Sequence, residues 1–162
     1  MTKIIIVDEN DNEIGLKERG TLNPEDIYRV SALWITNSNG EVLLAQRNFN
    51  KKHDSGKWGP AVAGTVDDGE TYDSNIIKEA EEELGLKNIN FKKGIKKERF
   101  SNKHKYFGQW YFLIIDRLAS EFIIQKEEVE KVQWFSKDEF YNLYLKNPSI
   151  FLDSIKKWFD EF

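Results

Sequence analysis

The chain has 162 residues, 40% of them hydrophobic, a formal net charge of −4 and no cysteine. That length supports one domain with its own core, taken as residues 1–162. The lack of cysteine excludes a disulfide scaffold and any thiolate nucleophile or ligand, and the acidic balance argues against a nucleic-acid duplex as the main partner. No apolar run reaches the roughly 18–20 residues that span a bilayer. The opening stretch, with one lysine and a short apolar run followed at once by acids, reads as a strand and not a signal peptide. The expectation is a cytoplasmic protein without a membrane segment.

In chain order, 3–7 (KIIIV) and 13–19 (EIGLKER) are apolar-rich runs joined by the turn residues DENDN, which predicts a β-hairpin. Its exposed position offers a homodimer contact. A loop over 20–27 leads to a strand at 28–37, a turn at NSNG, and a partner strand at 41–47. Residues 48–57 form a polar, basic loop, and 58–66 (WGPAVAGTV) read as one short strand. A helix is predicted from Thr71, as N-cap, to a terminating Gly85, with Ile76, Ile77, Ala80 and Leu84 as its apolar sector. Two long strands follow at 89–100 and 105–116, then short ones at 122–125 (FIIQ) and 129–135 (VEKVQWF). Ser136 and Glu139 make a capping box for a helix over 137–145. Asn147-Pro148 opens a last helix carrying Phe151, Ile155, Trp158, Phe159 and Phe162 at helical spacing. This order of elements predicts an α/β fold, a mixed sheet between helices.

The chemistry gathers on the central helix. Glu79, Glu82 and Glu83 are spaced i, i+3, i+4 and share a sector, where like charges repel. A solvated surface needs no such cluster, whereas hard divalent cations such as Mg²⁺ and Mn²⁺ prefer carboxylate oxygens. Glu81 points away from the other three. Around them the sequence reads Gly64, five residues, Glu70, seven residues, Lys78-Glu79-Ala80, one residue, Glu82-Glu83, one residue, Gly85-Leu86. This resembles the Nudix box of the diphosphate hydrolases, G-x5-E-x7-R-E-U-x-E-E-x-G-U with U aliphatic. Lys78 stands where the box has arginine.

The resemblance implies the Nudix α/β/α sandwich with a mixed sheet, here with an N-terminal hairpin. It also implies a metal-dependent hydrolase that cleaves a small diphosphate, either a nucleoside diphosphate derivative or another organic diphosphate, by metal-activated water. Mg²⁺ or Mn²⁺ would be held by Glu79, Glu82 and Glu83, the catalytic carboxylates, with the Gly64 carbonyl and Glu70 as further oxygens. Lys78 would pair with Glu70 as a point charge in place of arginine's bidentate fork. Arg47, Lys51 and Lys57 flank the strand entering the box and face an acidic site, which suits phosphate binding. Trp58 is a candidate pocket wall, and Trp110 a weaker one. Glu127 and Glu128 lie in a loop where some Nudix enzymes place a further ligand or base; a charged turn is the plainer account. His53 and His104 are isolated and are assigned no metal.

The hairpin and the YR…LLAQR…K…GKW…AGTV run narrow the resemblance to the branch containing isopentenyl-diphosphate isomerase. That isomerase motif places a catalytic cysteine on the strand before the box and a histidine ligand ahead of the arginine. Here WGPAVAGTV has no cysteine and Tyr28 precedes Arg29, so hydrolysis is the expected reaction. A Nudix-like module binding a nucleotide or protein without catalysis is the other alternative, and the intact glutamate set argues against it.

Overall fold

The structure, a computed structural model, describes residues 2–155. The N-terminal hairpin forms as expected: β1 (Lys3–Val7) pairs antiparallel with β2 (Glu13–Glu18). The centre of the sheet is β3 (Ile27–Thr36), which pairs parallel with β8 (Lys105–Ile114) along its whole length. Its other edge is shared by β1, β6 (Val62–Thr65) and the far end of β4 (Val42–Arg47). Further out, β7 (Lys92–Phe100) pairs with β8, and β5 (Trp58–Pro60) and β9 (Val129–Phe135) pair with β4. All of them join one mixed sheet.

Alternation along β3 assigns its two faces. Leu33 and Ile35, with Leu43, Ala61, Val62 and Tyr111, pack against Ile76, Ala80 and Leu84 of α1 (Tyr72–Leu84). Ala32 and Trp34, with Val42, Leu44, Trp58, Trp110 and Phe135, pack against Phe140 of α2 (Lys137–Lys146) and against Phe151 and Ile155. The result is the α/β/α sandwich. Among the described residues no helix is long and apolar enough to cross a membrane.

Four expectations need correction. WGPAVAGTV is two strands: β5 follows β4, the chain breaks at Ala61, and β6 crosses to β3. Pro60, with no N–H to donate, ends the first ladder. FIIQ is not a strand. A 3₁₀ turn over Ala119–Glu121 precedes it, and the N–H groups of Ile123 and Gln125 donate to Leu84 O and Glu83 O at 3.1 Å each. They satisfy the carbonyls left unpaired at the end of α1. Ile77 is 55% exposed, outside the buried stripe. Its inward neighbour is Asn75, fully buried beneath the sheet. The last predicted helix starts later than expected: Pro148–Ile150 form a 3₁₀ turn, Phe151 bridges to Trp58, and helical residues follow over 153–155. Trp158, Phe159 and Phe162 lie outside the described residues. Ser136 does cap α2, accepting from Glu139 N–H at 3.0 Å.

Beyond the β1–β3 pairing and the packing of Ile5 and Val7 in the core, one turn residue staples the hairpin to three further elements. Asp11, at φ 64°, has a side chain only 7% exposed. It accepts from Arg29 Nε of β3 at 2.7 Å, Tyr72 Oη of α1 at 2.8 Å and Lys96 Nζ of β7 at 2.6 Å. Burial opposes the charge, but these three bonds and the Arg29 charge outweigh it and hold the carboxyl below its ordinary value.

Candidate active site

α1 begins where Thr71 and Ser74 cap each other reciprocally: Thr71 Oγ1 accepts from Ser74 N–H and Ser74 Oγ from Thr71 N–H. It ends at Gly85, in the left-handed region at φ 67°, whose N–H bonds Glu81 O at 3.0 Å. Between these ends, buried Ile76, Ala80 and Leu84 fix the rotation of the helix, and that rotation turns the glutamates toward β6.

The head of the helix is a closed polar network. Asn75 contacts Ser31 of β3 and donates to Thr65 O at 3.0 Å and Glu70 Oε2 at 2.8 Å. Glu70 also accepts from Asp67 N–H at 3.0 Å and is paired with Lys78. Burial would raise the Glu70 carboxyl, but the bonds from Lys78, Asp67 and Asn75 prevail and lower it. Lys78 Nζ lies 3.7 Å from both Asp67 and Glu79, and Arg19 closes on Asp67 at 2.9 Å. Burial would lower the Lys78 ammonium, but its acidic neighbours, Glu70 first, raise it instead.

The other end of the helix face behaves in the opposite way. Burial, then the charges of Glu82, Glu70 and Asp67, raise the Glu79 carboxyl against the opposing pull of Lys78. Glu83 is pushed well above its ordinary value by burial and by the charges of Glu79 and Glu128. A bond from Ala63 N–H and the Arg47 charge only partly offset this. Glu82 is exposed beside them. Gly64 is necessary here: a Cβ on it would fall 2.6 Å from the Glu79 carboxyl carbon.

The basic loop reaches this face unevenly. Arg47 and Glu128 border a small cavity of about 50 Å³ that also touches Glu83, Pro60 and Ala63. Arg47 Nε bonds His53 O at 3.2 Å. Lys51 pairs with Glu128 at 2.6 Å and Lys57 with Asp54 at 3.3 Å. Trp58 is 7% exposed and sits in the core, its ring edge-on to Phe135 at 5.2 Å with Lys131 over its face. Sequence reasoning missed Asn75 and Asp67. The signal for Asn75 was a polar residue beside the apolar stripe of a helix, where burial demands partners.

A family model, the NUDIX domain, matches residues 27–159. The chain belongs to the Nudix family. An uncharacterized Nudix hydrolase of Yersinia pestis is 27% identical over 83% of this chain and 72% of its own length. An isopentenyl-diphosphate Delta-isomerase of Photorhabdus laumondii is 31% identical over 67% of this chain, which spans 62% of that relative's length. In fold, a Deinococcus radiodurans crystal structure superposes with a TM-score of 0.78 at 22% identity, covering 89% of each chain. A MutT protein from Methanosarcina mazei gives 0.67 at 17% identity, covering 83% of this chain and 91% of the other.

Nudix hydrolases generally use divalent metal ions, and the residues here fit one. The donors are hard carboxylate oxygens, two of them belong to groups that burial and neighbouring acids raise, and Gly64 keeps the backbone clear beside Glu79. Among the described residues no three His, Cys, Asp or Glu side chains already close on a common point.

Proposed function

We propose that this Nudix domain, residues 1–162, is a cytoplasmic hydrolase of a small diphosphate, a nucleoside diphosphate derivative or another organic diphosphate. Mg²⁺ or Mn²⁺ would be held by Glu79, Glu82 and Glu83, with Glu70 and the Gly64 carbonyl as further oxygens. The observation that carries the reading is the crowded glutamate face, where a Cβ on Gly64 would fall 2.6 Å from the Glu79 carboxyl carbon and Glu83 is raised first by burial and then by the charges of Glu79 and Glu128. Such a site costs stability, and a purely structural helix would not keep it. A bound divalent cation neutralises phosphate charge and makes water more acidic. Arg47, at the edge of the cavity that Glu83 borders, would grip a phosphate bidentately, with Lys51 and Lys57 adding point charges. Trp58 serves from the core by holding β5. The exposed edge of β2, with Ile14 65% exposed, supplies the homodimer contact.

The test is a panel of diphosphates with Mg²⁺ and Mn²⁺, read by phosphate release. Cleavage of at least one, lost in Glu82→Gln and Glu83→Gln, supports the reading; metal-independent release, or full activity in both variants, overturns it. The second reading, isomerisation, rests on the Photorhabdus laumondii relative. Without a thiol, the WGPAVAGTV stretch offers no side chain that exchanges a proton. NMR of isopentenyl diphosphate incubated with protein and Mg²⁺ should show no dimethylallyl product.

A further inference from the structure

β6 pairs with β3 alone and so has one free edge. Val66 N–H bonds Arg29 O at 2.9 Å, and from that pair the antiparallel pattern alternates. Ala63 and Thr65 therefore turn their N–H and C=O groups outward, away from β3. α1 lies across this edge. Asn75, Glu79 and Glu83, spaced i, i+4, i+8, form one row along the helix. Each member of the row meets the next strand residue, in reverse chain order. Asn75 donates to Thr65 O at 3.0 Å, the Glu79 carboxyl lies against Gly64, and Glu83 accepts from Ala63 N–H. The row advances about 6 Å per step and the strand about 3.3 Å, so the three side chains converge on β6.

The first member of the row is held on three sides. Asn75 is fully buried, and its side chain has both donors and its acceptor engaged. Nδ2 serves Thr65 O of β6 and Glu70 Oε2, the latter at 2.8 Å, while Oδ1 meets the Ser31 hydroxyl of β3. We propose that Asn75 is a positioning residue for the carboxylate site: by tying Thr65 to the head of α1 it sets the register between β6 and the row, and so where Glu79 and Glu83 stand. The use of that register to receive a cation rests on the hydrolase reading. The register itself rests on the hydrogen bonds alone. A small apolar side chain at position 75 would pack beside Ile76 and Ala80, but it would take a donor from both Thr65 O and Glu70. The free edge of β6 would then slide against the helix, and the two glutamates would lose their common frame. Partners of this kind, one bond removed from the oxygens that bind, govern how well a site is formed before its ion arrives.

Asn75→Ala removes the tether without adding charge. Ser31→Ala is its control, since it deletes one bond of the same buried cluster but none to β6. In EDTA, Asn75→Ala should speed hydrogen exchange at the Ala63 amide about tenfold, while Val62, within the β3 ladder, exchanges at the parental rate. Ser31→Ala should leave Ala63 as in the parent. Asn75→Asp, with the same outline but no Nδ2 donor, repeats the exchange measurement and covers an alanine variant that does not fold. Calorimetric titration with Mn²⁺, at a temperature where circular dichroism shows the protein folded, should give about tenfold weaker binding in Asn75→Ala and parental binding in Ser31→Ala. A role confined to stability would lower the melting temperature and leave both readouts alone. Parental exchange at Ala63 in the Asn75 variants, parental Mn²⁺ affinity in Asn75→Ala, or an equal response to Ser31→Ala would overturn the proposal. A parent protein that binds no Mn²⁺ would strike the hydrolase reading instead, and exchange in EDTA would still decide the role of Asn75.

Discussion

Glu70 at the head of α1 and Glu83 near its end are both carboxylates drawn out of water, yet they are shifted in opposite directions. Glu70 receives Lys78, Asn75 and a backbone N–H, whereas Glu83 receives one backbone N–H and faces two more acids. Burial is common to both; what differs is the supply of donors, and this separates a carboxylate whose charge the fold compensates from one whose charge it does not. Asp11 belongs with Glu70. Glu79 belongs with Glu83, although Lys78, shared between the two ends, draws it partway toward the first group.

The contrast can be broken most sharply from the acidic end. Glu82→Gln should lower Mg²⁺-dependent phosphate release by about a thousandfold while the metal-free protein melts at or slightly above the parental temperature. A large loss of melting temperature would place Glu82 with Glu70. At the satisfied end the effect should fall on stability instead. Asp11→Ala leaves Arg29 and Lys96 without their shared carboxylate and should cost about 3 kcal/mol in urea unfolding, with kcat for any substrate little changed.

Acidity gives a finer test. Glu83 is raised, so whatever stability its protonated form contributes is fully present below the ordinary 4.5 and is lost as pH rises through the higher folded value. In EDTA, Glu83→Gln should therefore become more stable relative to the parent as pH climbs above 4.5, read as a widening difference in urea midpoint. Glu70 is lowered, so its contribution is present above 4.5 and is lost as pH falls through its folded value. Glu70→Gln should lose its deficit against the parent on strong acidification. The smallest effect is expected at Lys78→Arg. Its side chain is 37% exposed, so the gain from a bidentate fork on Glu70 should stay within a few tenths of a kcal/mol, read as a melting shift of a degree or two.

How much of this was legible in the sequence depended on where each residue's partners lie. The caps of α1 were readable because Thr71 and Gly85 act within one turn of their own positions. β9 came out with its observed bounds because its flanking residues punctuate it. FIIQ misled because its β-branched residues suit a strand, while its N–H groups are used by a helix end that lies about forty residues earlier. The glutamate face was legible through its spacing, and the resemblance that spacing carries is now matched by a family model over 27–159. The separation of Glu70 from Glu83 was not legible, because it depends on how the nearby Asn75 and Asp67 turn their donors onto Glu70 and on Glu128 approaching Glu83 from far along the chain. Trp58 looked like a pocket wall and proved to be core, since alternation along a three-residue strand ending in proline gives no dependable face.

The Asp11 staple bears on how long the folded protein persists. It joins residues separated along the chain by 18, 61 and 85 positions. Closing such loops costs entropy before any contact repays it, so the staple should form after the transition state for folding. Contacts made that late slow the outward journey and leave the inward one alone. The hairpin precedes the stretch that matches the family model, and it would then act as a latch on the lifetime of the native state. In stopped-flow experiments Asp11→Ala should unfold about a hundredfold faster and refold at nearly the parental rate.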